Sequence, residues 1–265
     1  MKQYIVDAFV DGPFSGNPAA VVPLEQWPTE SLMQSIAAEN NLSETAFFVP
    51  VDAKYELRWF TPTNEVSLCG HATLASAHVL FSEIDPSLEL VEFQSQSGRL
   101  SVSRFEDDYA MDFPATPIRE APDAPAVLSA LGLDGEVFDA DGSPLVIAAN
   151  ESAVARCVPD MARVAELPGD MLILTAPAEN DGRGIDVVTR VFAPSIGIPE
   201  DPATGAAHCA TTPFWCSKLA LQRVRSLQIS ERTGSFECEL TSTGERVVLK
   251  GRCRTFSRGE IVAEF

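Results

Sequence analysis

One short pattern occurs twice, about half a chain apart. Arg58-Trp59-Phe60-Thr61-Pro62 and Arg190-Val191-Phe192-Ala193-Pro194 both read R-x-F-x-P, and each closes a strand-like run, residues 55–60 and 185–192. After each comes a loop with an acidic residue, then a glycine that opens a helix of small residues. These helices begin at Gly70-His71-Ala72 and Gly205-Ala206-Ala207. The arginines (58 and 190) lie 132 positions apart and the glycines (70 and 205) 135, in a chain of 265. Two copies with the same continuation at half-chain spacing indicate duplication. The expectation is two related halves of strands and helices, facing each other across one small-molecule cleft.

Other segments fit that plan. Pro28-Thr29 followed by Leu32, Met33, Ile36 and Ala37 predicts an amphipathic helix capped by Thr29 and closed at Asn40-Asn41. Residues 45–49 read as a buried strand, with 171–175 as the counterpart. Alternation over 98–113 around Asp107-Asp108 predicts a hairpin, and 226–229, 236–240, 246–249 and 261–265 read as further strands. The segment 120–125, with two prolines and two acids, reads as a linker. The expected halves are therefore residues 1–119 and 120–257. Ala72, Ala75, Ser76 and Ala77 make the first central helix slim enough for strands to wrap closely around it. Pro213 predicts a bend or stop near Thr212 in the second.

Charge limits the partners. There are 19 Lys and Arg against 38 Asp and Glu, a net charge of −19. Such a surface repels phosphate backbones and anionic membranes, so neither nucleic acid nor membrane is expected as a partner. Six cysteines form no C-x-x-C pair and no Cys/His metal spacing. Residues 1–7 lack the apolar core of a signal peptide, and no apolar run approaches the ~18 residues of a membrane span. A cytoplasmic protein with free thiols is expected.

Several residues can carry chemistry. A helix N-terminus leaves backbone N–H groups unpaired and favours anions, so the openings at Gly70-His71 and Gly205-Ala206 suit a carboxylate ligand. Their bland alternative is tight packing at a glycine. Glu44 lies between a helix end and an apolar strand, where partial desolvation would raise its pKa and suit proton transfer; a surface glutamate is the alternative. Asp201 before Pro202 reads equally as an N-cap. His71 can exchange hydrogen bonds with a ligand, whereas His78 and His208 read as packing residues, with no metal site implied. Cys69 reads as an activated thiol at a helix start or as a buried structural cysteine.

Gly16-Asn17-Pro18, Ser43-Glu44-Thr45-Ala46-Phe47, Arg58–Pro62, Glu65–Ala75 and Glu200-Asp201-Pro202-Ala203-Thr204-Gly205 occur in that order. Together they resemble the phenazine-biosynthesis PhzF-like isomerase family, which has the diaminopimelate epimerase-like fold. The resemblance implies an α+β protein of two pseudo-symmetric lobes, each a curved, mostly antiparallel sheet wrapped around a central helix. The active site would lie between the lobes, and the last strand, about 258–265, would return to the first. It further implies an isomerase that moves a proton within a small carboxylate-bearing molecule, without metal or organic cofactor. Glu44 matches the glutamate that shuttles the proton, and His71 and Asp201 match the histidine and aspartate around it. Asn17, Gly70, Gly205 and Ala206 fall at substrate-binding positions. The phenazine enzyme has serine where this chain has Ala206, which removes a hydroxyl worth about 1–3 kcal/mol when its partner is left unpaired. Related racemases use two cysteines, and Cys69 falls near the first. A racemase or epimerase pairing Glu44 with Cys69, or a catalytically silent metabolite-binding protein, are the other readings. Relatives are often dimers, so a homodimer is expected by analogy.

Overall fold

The computed structural model describes residues 1–106, 108–121 and 123–262. The chain divides into two compact units, residues 1–112 with the C-terminal residues from 250 onward, and residues 113–249. The division falls before the expected 119/120 and 257/258. Glu120 ends a strand and Ala124 begins a helix, so the segment expected as a linker is largely structured; its Pro122 lies outside the described residues.

The first unit contains β1 (Lys2–Ala8), β2 (Asn17–Pro23), α1 (Glu30–Asn40), β3 (Glu44–Val51), β4 (Lys54–Phe60), β5 (Glu65–Val66), α2 (Gly70–Val79), β6 (Leu90–Ser95) and β7 (Gly98–Phe105). The chain leaves it along β8 (Asp108–Pro114). The second unit contains β9 (Ile118–Glu120), α3 (Ala124–Leu131), β10 (Gly135–Ala140), β11 (Ser143–Ala148), α4 (Glu151–Arg156), α5 (Met161–Ala165), β12 (Leu172–Pro177), β13 (Val187–Phe192), α6 (Gly205–Leu219), β14 (Arg223–Gln228) and β15 (Gly234–Leu240). The chain leaves along β16 (Arg246–Gly251) and ends with β17 (Cys253–Glu260), antiparallel to β1.

The repeated motif marks a repeated topology. In the first unit β1–β2, β3–β4 and β6–β7 pair antiparallel, while β2–β3 and β4–β6 pair parallel. In the second, β10–β11, β12–β13 and β14–β15 are antiparallel, while β11–β12 and β13–β14 are parallel. The alternation of senses is the same, and α2 and α6 occupy the same place, each inside the second parallel crossover.

Local chemistry explains the elements. Thr29 caps α1, its hydroxyl accepting from Leu32 N, and Asn41 closes the helix at φ 49°. Met33, Ile36 and Ala37 of α1 pack on Val22, Phe47 and Phe60. His71–Val79 of α2 are all buried, polar residues included, so the helix is enclosed on every side. The β7–β8 hairpin forms as expected, although Asp107 lies outside the described residues. The final strand, expected over 261–265, lies earlier at Cys253–Glu260, and residues 263–265 lie outside the described residues.

Of the bend or stop expected near Thr212, the stop does not occur: α6 runs through Pro213. A proline removes the N–H that would bond the carbonyl four residues before it, here Cys209 O. The backbone N–H of Thr116 donates to that oxygen at 3.0 Å instead. A loop segment thus satisfies what the proline leaves open, and the helix runs on to Leu219.

Candidate active site

Glu44 opens β3 beside Ala19 of β2, and His71 sits in the first turn of α2. The two meet: His71 Nε2 is 3.2 Å from Glu44 Oε2, a contact whose angle falls short of a well-aligned hydrogen bond. Across the same ring, Nδ1 is 3.5 Å from Cys69 Sγ. Burial pushes the His71 imidazole down to about 3, so it is neutral at physiological pH and carries one N–H to share between carboxylate and thiol.

The donor atoms of Glu44, Cys69 and His71 lie within 4.8 Å of one another. Thiol and carboxylate approach different ring nitrogens, whereas one metal ion would take one of them, so the arrangement suits proton sharing better than chelation. It also bears on Cys69 as a second base. Two bases flanking one carbon at ~3–3.5 Å each would stand ~6–7 Å apart, whereas the thiol and one Glu44 oxygen lie within 4.8 Å.

Around this pair, the N–H groups of Gly70, His71 and Ala72 lie in the first turn, ahead of the first intrahelical bond from Thr73 N to Cys69 O. Asn17 opens β2 and is fully buried. Gly16 before it holds φ +80°, and a Cβ there would strike the Ala8 carbonyl oxygen. Only glycine fits that turn.

The remaining candidates belong to the second unit. Asp201, Gly205 and Ala206 share the loop and first turn of α6. The helix begins at Gly205 with Thr204 as N-cap, so Asp201 is not the cap that its place before Pro202 allowed. Its carboxylate accepts from the Thr204 hydroxyl instead. The buried Gln228 fixes the loop, accepting from Thr204 N at 2.8 Å and donating to Asp201 O at 2.7 Å. His208 bonds Thr204 O and Ser226 Oγ and stacks on Phe236, and His78 bonds Tyr109 and Thr255. Both fit the expected packing role.

The repeated arginines do the same work twice. Arg58 bonds both carboxylate oxygens of Glu65 at 2.6 Å, and Arg190 bonds both of Glu200 at 2.8 Å. Each guanidinium also lies over the phenylalanine two residues on, at 5.2 Å for Phe60 and 4.8 Å for Phe192. The sequence held a signal for these pairs, since each glutamate stands five positions before its helix-opening glycine. Gln228 left none, because its partners lie 24 and 27 residues away.

Comparison with known proteins gives this arrangement a lineage. The profile of the phenazine biosynthesis-like protein family matches residues 6–259. An uncharacterised isomerase of Pseudomonas aeruginosa is 44% identical over 257 residues, covering 97% of this chain and 96% of its own. A crystal structure of a PhzF-family phenazine biosynthesis protein from Enterococcus faecalis superposes with a TM-score of 0.93 at 40% identity, covering 99% of both chains. A probable proline racemase from Agrobacterium radiobacter, 12% identical, shares the fold at a TM-score of 0.59, with 99% of this chain and 93% of that one covered. The fold is α+β and diaminopimelate epimerase-like, and the chain belongs to the phenazine biosynthesis-like (PhzF) family of isomerases.

Proposed function

We propose that this isomerase moves a proton within a small carboxylate-bearing molecule, with Glu44 as the acid and base in turn. The observation that carries the reading is the 3.2 Å approach of His71 Nε2 to Glu44 Oε2, beside a helix start. A carboxyl group exchanges a proton with carbon efficiently only if it is held in place and its charge is met by a donor. The neutral imidazole supplies that donor without a fixed positive charge. With Nε2–H turned to Oε2, the imidazole steadies the carboxylate while it takes up and returns the proton. Cys69, on the far ring nitrogen, fits a role in setting the tautomer rather than one as a second base.

The N–H groups of Gly70–Ala72 suit the carboxylate of the substrate. Asp201, fixed by Thr204 and Gln228, is assigned a part in the same reaction by its place in the family pattern. Nothing in this scheme calls on a metal or organic cofactor. Ala206 supplies no hydroxyl, which favours a substrate other than that of the phenazine enzyme. An acidic, cytoplasmic protein acting on a metabolite, alone or as a homodimer, is the setting proposed.

The test is a panel of small carboxylic acids screened for thermal stabilisation, with binders then incubated in heavy water. Deuterium entering a carbon position only with native protein supports the proposal. Acids that bind tightly, yet neither isomerise nor exchange, favour the metabolite-binding reading.

A further inference from the structure

Among the described residues, the indole N–H of Trp59 is buried and has no hydrogen-bond acceptor, in a side chain only 1% exposed. The other two tryptophans have theirs: Trp27 Nε1 donates to Glu56 at 2.6 Å and Trp215 Nε1 to Thr175 at 3.0 Å. Most buried donors are paired, and an orphan N–H weighs against the fold unless function requires it.

Topology places this one beside the candidate site. On β4, Trp59 stands opposite Ala46 of β3, and Glu44 lies two residues along β3 from Ala46. Side chains two apart on a strand share a face. Phe47 and Phe60 pack against α1 on the other face, so Trp59, Ala46 and Glu44 occupy the face from which His71 of α2 meets Glu44. On its other side Trp59 pairs with Val66 of β5, from which the chain runs directly to Cys69 and His71. The indole therefore sits between the two segments that supply the acid/base pair, diagonal to Glu44 and within the reach of an aromatic ring.

We propose that Trp59 is a specificity-determining residue whose indole N–H donates to a second acceptor on the substrate, a carbonyl or hydroxyl oxygen distinct from the carboxylate. This rests on the Glu44–His71 site reading and narrows its substrate class to carboxylic acids that carry such an oxygen. The repeat supports a local function: the matching position of the second motif is Val191, which has no donor.

The test needs no known substrate. In a proton–nitrogen correlation spectrum the three indole N–H signals are assigned with Trp27→Phe and Trp215→Phe, leaving Trp59 by difference even if Trp59→Phe fails to fold. In the free protein its proton should resonate upfield of the two hydrogen-bonded ones. Pentanoate, 2-oxopentanoate and 4-oxopentanoate are then titrated. All three should move the Gly70–Ala72 amides, and at least one oxo acid, unlike pentanoate, should move the Trp59 indole downfield. Trp59→Phe should weaken that oxo acid about tenfold, the worth of one hydrogen bond, and leave pentanoate unchanged. An indole signal unmoved by oxo acids that do shift the Gly70–Ala72 amides overturns the proposal and spares the site reading. Amides that none of the acids moves overturn both.

Discussion

Arg190 grips Glu200 through two parallel hydrogen bonds of 2.8 Å, five residues ahead of the glycine that opens α6. Arg58 holds Glu65 in the same way ahead of α2. Bidentate arginine–carboxylate pairs are strong and directional, so each clamp fixes the loop that delivers the chain to a helix start. Arg190 also donates to the carbonyls of Val154 and Cys157 at the end of α4. This explains why the arginine, and not merely a positive charge, recurs in the motif.

Arg190→Lys keeps the charge and loses the fork. We expect it to cost about 1–3 kcal/mol in stability, as for hydrogen bonds to charged groups, measured by urea unfolding. Arg190→Met combined with Glu200→Gln should cost less than the two single changes added together, because neither charge is left buried alone. Additive losses would mean that the pair acts independently.

Glu44→Gln keeps size and polarity but cannot transfer the proton. Once an exchanged acid is identified, its turnover should fall about 10²–10⁴-fold with binding retained by calorimetry. Near-native turnover in this variant would move the proton transfer to another group.

Gly16→Ala should be strongly destabilising, because φ +80° and the Ala8 carbonyl both exclude a Cβ. A loss of about 1–3 kcal/mol is expected from the backbone strain, read as a lowered urea midpoint. Gly142→Ala, at φ +92° with open space around its Cβ, should suffer the strain without the collision and lose less.

Acid should unfold the protein through its histidines. Burial pushes His71 down to about 3 and both His78 and His208 to about 4, against ~6.5 in an unfolded chain. Between these values the unfolded state binds more protons, so stability rises with pH there and is lost as pH falls below about 6.5. From pH 7.5 to 5.5 the three together should cost on the order of 4 kcal/mol. His208→Gln should reduce that dependence by about a third; an unchanged slope would mean that His208 is not linked to acid unfolding.

The sequence by itself determined the doubled plan. R-x-F-x-P followed by an acid, a glycine and small residues is a local pattern, and its two copies carry the same strand senses and the same central helix. Thr29 and Asn41 likewise bound α1 through bonds made within a few residues, so their types are enough. What the sequence could not fix is long-range. Whether Asp201 caps a helix depends on where α6 begins, and Gln228, two dozen residues on, holds that loop. Pro213 predicts a bend or stop by its own chemistry, but Thr116 satisfies the freed carbonyl and the helix does not stop. Glu44 read alone is an ordinary glutamate at a strand start. It becomes a candidate acid and base because β3 and α2, 27 residues apart in the chain at Glu44 and His71, bring a buried neutral imidazole against it, and only tertiary packing creates that burial.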